Sequence, residues 1–79
     1  MPKVRVFSTP ACPYCVTLKG FLEKNNIEFE DVDVAADAVA REEMVKKSNQ
    51  IGVPVIEIDG QFITGFDKEK IEKLLNIKE

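Results

Sequence analysis

Histidine and tryptophan are absent from this 79-residue chain, and cysteine and tyrosine are scarce, with two Cys and one Tyr. The missing histidine excludes a Cys–His catalytic pair and any zinc site that uses imidazole. Two cysteines cannot complete a four-thiolate zinc site, and Cys12 and Cys15 lie too close together in sequence to staple a fold, because the loop they close removes little chain entropy. Basic charge is not in excess: 11 Lys and Arg face 14 Asp and Glu, for a net charge of −3. No strong positive field therefore marks a nucleic-acid or anionic-membrane binder. No apolar run approaches the roughly 20 residues of a membrane span. The segment from Met1 to Phe7 lacks the apolar stretch and cleavage site of a signal peptide. Linkers, repeats and low-complexity segments are missing too. The expectation is one domain over residues 1–79, monomeric and cytoplasmic.

What remains is an ordinary globular composition, 44% hydrophobic and 32% charged, enough for one modest core. Residues 3–8 alternate and are β-branched or aromatic, which predicts a first strand. Pro13 suits the first position of a helix, and Cys15, Leu18 and Leu22 follow at helical spacing with Phe21 beside them, to about Asn25. Residues 27–34 alternate again through Ile27, Phe29, Val32 and Val34, predicting a second strand. Asp37 is placed to cap a second helix with Ala40 and Met44 on its inner face, and Lys46 and Lys47 suit its C-terminal end. Residues 53–58 form a third predicted strand. Asp59-Gly60 is a hairpin turn into a fourth strand at 61–64. Asp67 caps a last helix, with Phe66 and Ile71 in the positions of a hydrophobic staple and Ile71, Leu74 and Leu75 on its apolar face. The order is β-α-β-α-β-β-α.

The chemistry is concentrated in Cys12-Pro13-Tyr14-Cys15. A dithiol enzyme needs one exposed, partly ionised thiol and a second near enough to attack the mixed disulfide formed by the first. Cys12 at a helix start meets the first demand, because unsatisfied N–H groups and the helix dipole stabilise a thiolate; in such motifs the thiol pKa falls from about 8.5 to between ~3.5 and ~7.5. Cys15, almost one turn later, points more towards the protein and acts second. With no histidine to help, ionisation rests on backbone dipoles and hydrogen bonds. Lys19 reads as a solvated surface lysine and only a distant helper. A strand followed by Cys-x-x-Cys opening a helix in a β-α-β context points to redox chemistry rather than metal.

At this point the chain resembles the glutaredoxins. Phe7-Ser8-Thr9-Pro10-Ala11-Cys12-Pro13-Tyr14-Cys15 is similar to their active-site segment. Gly52-Val53-Pro54 matches their Thr-Val-Pro segment, and Thr64-Gly65-Phe66-Asp67 their Gly-Gly-x-Asp turn. The resemblance covers essentially the whole chain. It implies an α/β, thioredoxin-like fold, a four-stranded mixed sheet flanked by three helices, with thiol–disulfide exchange as the activity. It implies a cis Val53–Pro54 bond packed against the dithiol, with the Val53 backbone pairing with substrate. It implies that Gly65, Phe66 and Asp67 hold the γ-glutamyl end of glutathione. Tyr14, the sole tyrosine and set between the two cysteines, reads as an exposed wall of the site. On the residues alone, Asp67 is a helix cap and Phe66 a staple. No bound cofactor or metal is implied. Glutathione is the expected co-substrate, and disulfide-containing proteins are the partners.

Three positions depart from that pattern. Thr9 stands where many members have a lysine, Gln50 offers no charge before the Val-Pro segment, and Thr64 replaces one glycine. Weaker glutathione binding is expected. The Thr-Gly-Phe pattern also resembles the NrdH-type redoxins, which take electrons from thioredoxin reductase, although Asp67 stands where those have a basic residue. An iron–sulfur-bridging module is the remaining alternative; Pro13 and the intact Cys15 argue against it, and brown purified protein would reveal it.

Overall fold

The computed structural model describes residues 3–77. Alternation along β1 (Val4–Ser8) sends Val4 and Val6 to one face of the sheet and Phe7 to the other. The same period governs β3 (Val55–Ile58), where Ile56 and Ile58 join Val4 and Val6 while Val55 joins Phe7. β4 (Gln61–Thr64) follows suit with Ile63 on the first face and Phe62 on the second. With β2 (Glu30–Asp33) the strands form one sheet in the order β2-β1-β3-β4. β1 and β2 are parallel, and the other two pairings are antiparallel.

Helices cover both faces. α1 (Pro13–Lys24) buries Leu18 and Leu22, and α3 (Lys68–Leu75) buries Ile71, all in the cluster around Val4, Val6 and Ile56. α2 (Ala38–Ser48) buries Ala40 and Met44 against Phe7 and Val55 on the opposite face. Each large apolar side chain fully buried in this way contributes roughly 1.5–3 kcal/mol of hydrophobic stabilisation. Arg5 fastens α2 to the sheet. It makes paired hydrogen bonds to Glu43 at 3.0 and 2.8 Å, bonds Glu57, and lies 4.9 Å over the Phe7 ring. The arginine holds the Glu43 carboxyl below the usual carboxylate range, chiefly through its hydrogen bond.

The element order and the caps follow the sequence expectation. The Asp37 carboxylate accepts the Ala40 N–H at 3.0 Å, and Asp67 accepts that of Lys70 at 3.2 Å. Phe66 packs against the cluster that contains Ile71, as a staple should, and its ring lies 5.5 Å from that of Phe21. Asp59 and Gly60 both take positive φ, +49° and +88°, as a type I′ hairpin turn requires.

Some boundaries differ. The second strand begins at Glu30 rather than residue 27, because the Ile27 N–H is used to close α1: it donates to the Leu22 carbonyl at 2.9 Å, after Asn26 turns left-handed. Ile27 and Phe29 pack on the first face, whereas Val32 and Val34 pack on the second, as a period of two requires of odd and even positions; the four are therefore not one apolar face. The third strand begins at Val55, not residue 53, since Pro54 has no N–H to give to a ladder. The Val53–Pro54 bond is cis, as the resemblance implied. The first strand starts at Val4, not residue 3, whereas α1 ends as expected, at Lys24 with Asn25 as its cap.

Candidate active site

Antiparallel pairing brings three chain segments to one end of the sheet. Phe7 is opposite Val55 and Val55 opposite Thr64, so the end of β1, the start of β3 and the end of β4 coincide. Ser8 leads into the dithiol turn, Pro54 leads into β3, and Gly65 leaves β4. The Gly65 N–H donates to the Pro54 carbonyl at 2.8 Å, and Gly65 sits at φ +71°, where a side chain would strain the backbone.

The dithiol itself is built by the start of α1. The Cys12 N–H donates to the Thr9 carbonyl at 3.3 Å, which turns the chain out of β1. Cys12 then occupies the N-cap with extended backbone, and its Sγ accepts the Cys15 N–H at 3.1 Å. Pro13 follows at N1, where its missing donor is no loss, and no acidic residue sits in the first turn to offset the positive end of the helix dipole. Cys12 and Cys15 are joined by a disulfide, with Cα atoms 5.2 Å apart. Cys12 is 8% exposed and Cys15 only 1%: Cys12 is the more accessible residue, but in the disulfide both are buried, where the sequence reading expects an exposed Cys12 thiol. Tyr14, between them, is 69% exposed.

The other residues singled out from sequence fall into two groups. Val53 is half-buried, and neither its N–H nor its C=O is hydrogen-bonded among the described residues, while the carbonyls on either side accept from Gln50 Nε2 and Gly65. Val53, Pro54 and Gly65 thus share the dithiol end. Phe66 instead packs into the core, and Asp67 serves as the α3 cap. Gln50 turns its side-chain amide onto the Gly52 carbonyl at 3.2 Å.

Lys19 corrects the sequence reading. It is not a solvated lysine: its side chain is 23% exposed, and Nζ lies 3.0 Å from Asp31 Oδ2 and 3.5 Å from Ser8 Oγ. Ser8, 3% exposed, donates to Asp31 Oδ1 at 2.8 Å and closes the triangle. Burial acts to raise the Asp31 carboxyl, but the hydrogen bonds from Lys19 and Ser8 outweigh it and hold the group below the usual carboxylate range. The spacing of Lys19 from Cys15, i to i+4 on one helix, was the available signal for its side of α1. The partner on β2 carried none. Ile51, 69% exposed on the loop before Val53, was likewise not singled out.

Among the described residues no group of three or more His, Cys, Asp or Glu is placed to hold a metal ion, and no helix is long and apolar enough to cross a membrane.

Comparisons with known proteins bear on this arrangement. The glutaredoxin family model matches residues 4–63, which include the dithiol and the Val53–Pro54 segment and stop short of Gly65. A glutaredoxin-like 8.6 kDa protein in the rubredoxin operon of Clostridium pasteurianum, itself uncharacterized, is 51% identical over 72 residues, 91% of this chain and 96% of that one. Glutaredoxin 3 of Escherichia coli K12 is 37% identical over 67 residues, 85% of this chain and 81% of its own. Among solved structures, a mutant of the thioredoxin-like protein BC3987 superposes with a TM-score of 0.91 at 41% identity, covering 99% of this chain and 100% of that one. The fold is thioredoxin-like, as the resemblance implied. With the family model spanning most of the chain, the redox pair at the head of α1 and relatives alike over most of their length, the chain belongs to the glutaredoxin family.

Proposed function

We propose that this protein is a thiol–disulfide oxidoreductase that reduces protein disulfides and glutathione mixed disulfides, with Cys12 as nucleophile and Cys15 as resolving thiol. The observation that carries the reading is the N-cap position of Cys12, whose sulfur already receives the Cys15 N–H. The same N–H and the helix dipole stabilise a thiolate at that atom. The greater burial of Cys15 supports its acting second.

In the reduced protein the Cys12 thiolate attacks one sulfur of the substrate disulfide. An S–S bond forms to Cys12, and the other substrate sulfur leaves as a thiolate that takes up a proton. Cys15, losing its proton, attacks Cys12 Sγ and expels the second substrate thiol. The substrate has gained two electrons and two protons, and the protein holds the Cys12–Cys15 disulfide. A donor then reduces that disulfide: two glutathione molecules, which become glutathione disulfide, or a thioredoxin reductase.

The unbonded backbone of Val53 supports strand-like pairing with the substrate beside the dithiol. In this reading Pro54 shapes that edge and Tyr14 is its exposed wall. Gly65, Phe66 and Asp67 receive the γ-glutamyl end: Gly65 forms the turn, the Phe66 and Asp67 N–H groups face its carboxylate, and the Asp67 carboxylate takes its α-amine. The protein works in the cytoplasm as a monomer.

A second reading, reduction by thioredoxin reductase as in the NrdH-type redoxins, is favoured by one observation. Thr9 and Gln50 bring no charge to the dithiol end, where glutathione carboxylates would seek one. Parallel turnover assays test the two, one with glutathione and glutathione reductase and one with thioredoxin reductase. Detectable but weak glutathione-linked turnover is expected. Turnover with thioredoxin reductase alone would replace the glutathione reading with the second.

A further inference from the structure

Beside the dithiol turn lies a pocket of about 110 Å³ lined by Ser8, Thr9, Pro10, Lys19, Asp31 and Asp33. Because the Thr9 carbonyl accepts the Cys12 N–H, this pocket abuts the turn that presents the nucleophilic sulfur. Its charged lining is one cation and two carboxylates. The cation already has a partner: the Lys19 ammonium sits in the triangle with Asp31 at 3.0 Å and Ser8 at 3.5 Å. Asp33 accepts only a backbone N–H, from Ala35 at 2.9 Å, among its side-chain bonds. The adjoining concavity over β2 continues the same sign, with Glu30, Asp31, Asp33 and Asp37 in its wall. The lysine of this pocket, which could meet an anion next to Cys12, is thus turned to a carboxylate of the protein, in a field that is already negative.

Resting on the redox reading above, we propose that Asp31 is a selectivity residue: by holding Lys19 it leaves the pocket beside the dithiol negative, and so disfavours anionic thiols such as glutathione relative to uncharged disulfides and polypeptide disulfides. Glutathione bears two carboxylates and one ammonium at neutral pH, so its mixed disulfide with Cys12 adds a net negative charge at this place. A substrate without that charge meets no such opposition. Asp31 does not touch the reacting sulfurs; it acts through Lys19, as a positioning residue.

The test is an equilibrium one, so that it does not depend on which reductase serves the protein. In a Cys15→Ser background, the mixed disulfide of Cys12 is measured by mass spectrometry against glutathione disulfide and against the uncharged 2-hydroxyethyl disulfide. The ratio of the two equilibrium constants cancels any change in the Cys12 thiol itself. Asp31→Asn should raise this ratio in favour of glutathione by up to about fivefold, the range of an exposed ion pair. The gain should shrink at high salt and be clearly smaller when Lys19→Met is added, where only the direct loss of the Asp31 charge remains. An unchanged ratio, or a gain as large with Lys19→Met as without it, overturns the proposal. Should Asp31→Asn not fold, Asp31→Ser takes its place: a raised ratio supports the proposal and an unchanged ratio overturns it. If Cys12 forms a mixed disulfide with neither reagent, the redox reading falls and this inference with it; if it reacts with both and Asp31→Asn has no effect on the ratio, only the inference falls.

Discussion

At the hairpin end of the sheet the backbone closes on itself. Asp59 and Gly60 complete a two-residue turn, the Lys3 N–H donates to Asp59 Oδ1 at 2.8 Å, and the Asp59 N–H returns to the Lys3 carbonyl at 2.9 Å. The end of α1 is closed in the same way, by the Ile27 N–H on the Leu22 carbonyl. The dithiol end is different. There the Val53 N–H and C=O are both unbonded among the described residues, Tyr14 and Ile51 are each 69% exposed, and the chain turns out of β1 at Thr9. One end satisfies its own polar groups and the other leaves them for something else. That difference separates stability from chemistry, because an unpaired strand edge is a template for another chain, whereas a closed turn is not.

Substitutions at the two ends should therefore act on different measurements. The largest effect is expected at the dithiol: Cys12→Ser should abolish turnover of every disulfide while leaving the unfolding midpoint of the reduced protein nearly unchanged. Cys15→Ser should still permit monothiol reduction of glutathione mixed disulfides. Alkylation that maps first to Cys15 at neutral pH would reverse the roles. Away from the site, Leu22→Ala should cost about 2–5 kcal/mol in denaturant unfolding, as buried leucines do, with the alkylation rate of Cys12 unaltered. A parallel loss of Cys12 reactivity would show that the two ends are coupled.

Gly60→Val is a gentler probe of the hairpin end. The space around Gly60 is open, so the cost comes from its φ of +88° alone, about 1–3 kcal/mol for a side chain forced into that region. Exchange kinetics should not move. Thr9→Lys probes the dithiol end in the opposite sense. It should lower the half-saturating glutathione concentration by up to about fivefold, fading at high salt, with unfolding unaffected; an unchanged constant would mean that other groups hold the carboxylate.

The smallest expected effect is a pH dependence on the α2 face. Arg5 lowers the Glu43 carboxyl below its ordinary 4.5 in the folded state. A depressed folded value means that the stabilisation is present above the unfolded value and is lost as pH falls through the folded one. Thermal unfolding between pH 7 and pH 3 should show a smaller drop in Arg5→Met than in the unaltered protein. Glu43 is more than a third exposed, so the difference should be modest. An equal or larger drop in Arg5→Met would remove the pair from the acid response.

The elements could be read from the chain because they obey local rules. Helix period, the caps Asp37 and Asp67, Pro13 at N1 and the Asp59-Gly60 turn each act within a few residues. The strand starts expected at residues 27 and 53 and found at Glu30 and Val55 have causes that alternation does not register: the Ile27 N–H is taken by the end of α1, and Pro54 meets the chain just after β4 through its carbonyl and has no N–H for β1. The dithiol was legible for the same local reason as the caps, since a strand, a turn and a helix start within a dozen residues carry it.

By itself, then, the sequence determined where the Cys-Pro-Tyr-Cys pair falls and in what order the helices and strands occur, because periodicity, capping and the Cys-Pro-Tyr-Cys spacing are properties of neighbouring residues. Tertiary structure alone decided what surrounds the sulfur. Val53, Pro54 and Gly65 reach the end of the sheet that carries Cys12 only through the register of three antiparallel strands. Lys19 is turned to Asp31 and Ser8 only because α1 lies across β1 and β2. Charge acts through space, and residues 8, 19 and 31 become one electrostatic unit when the sheet closes the distance between them.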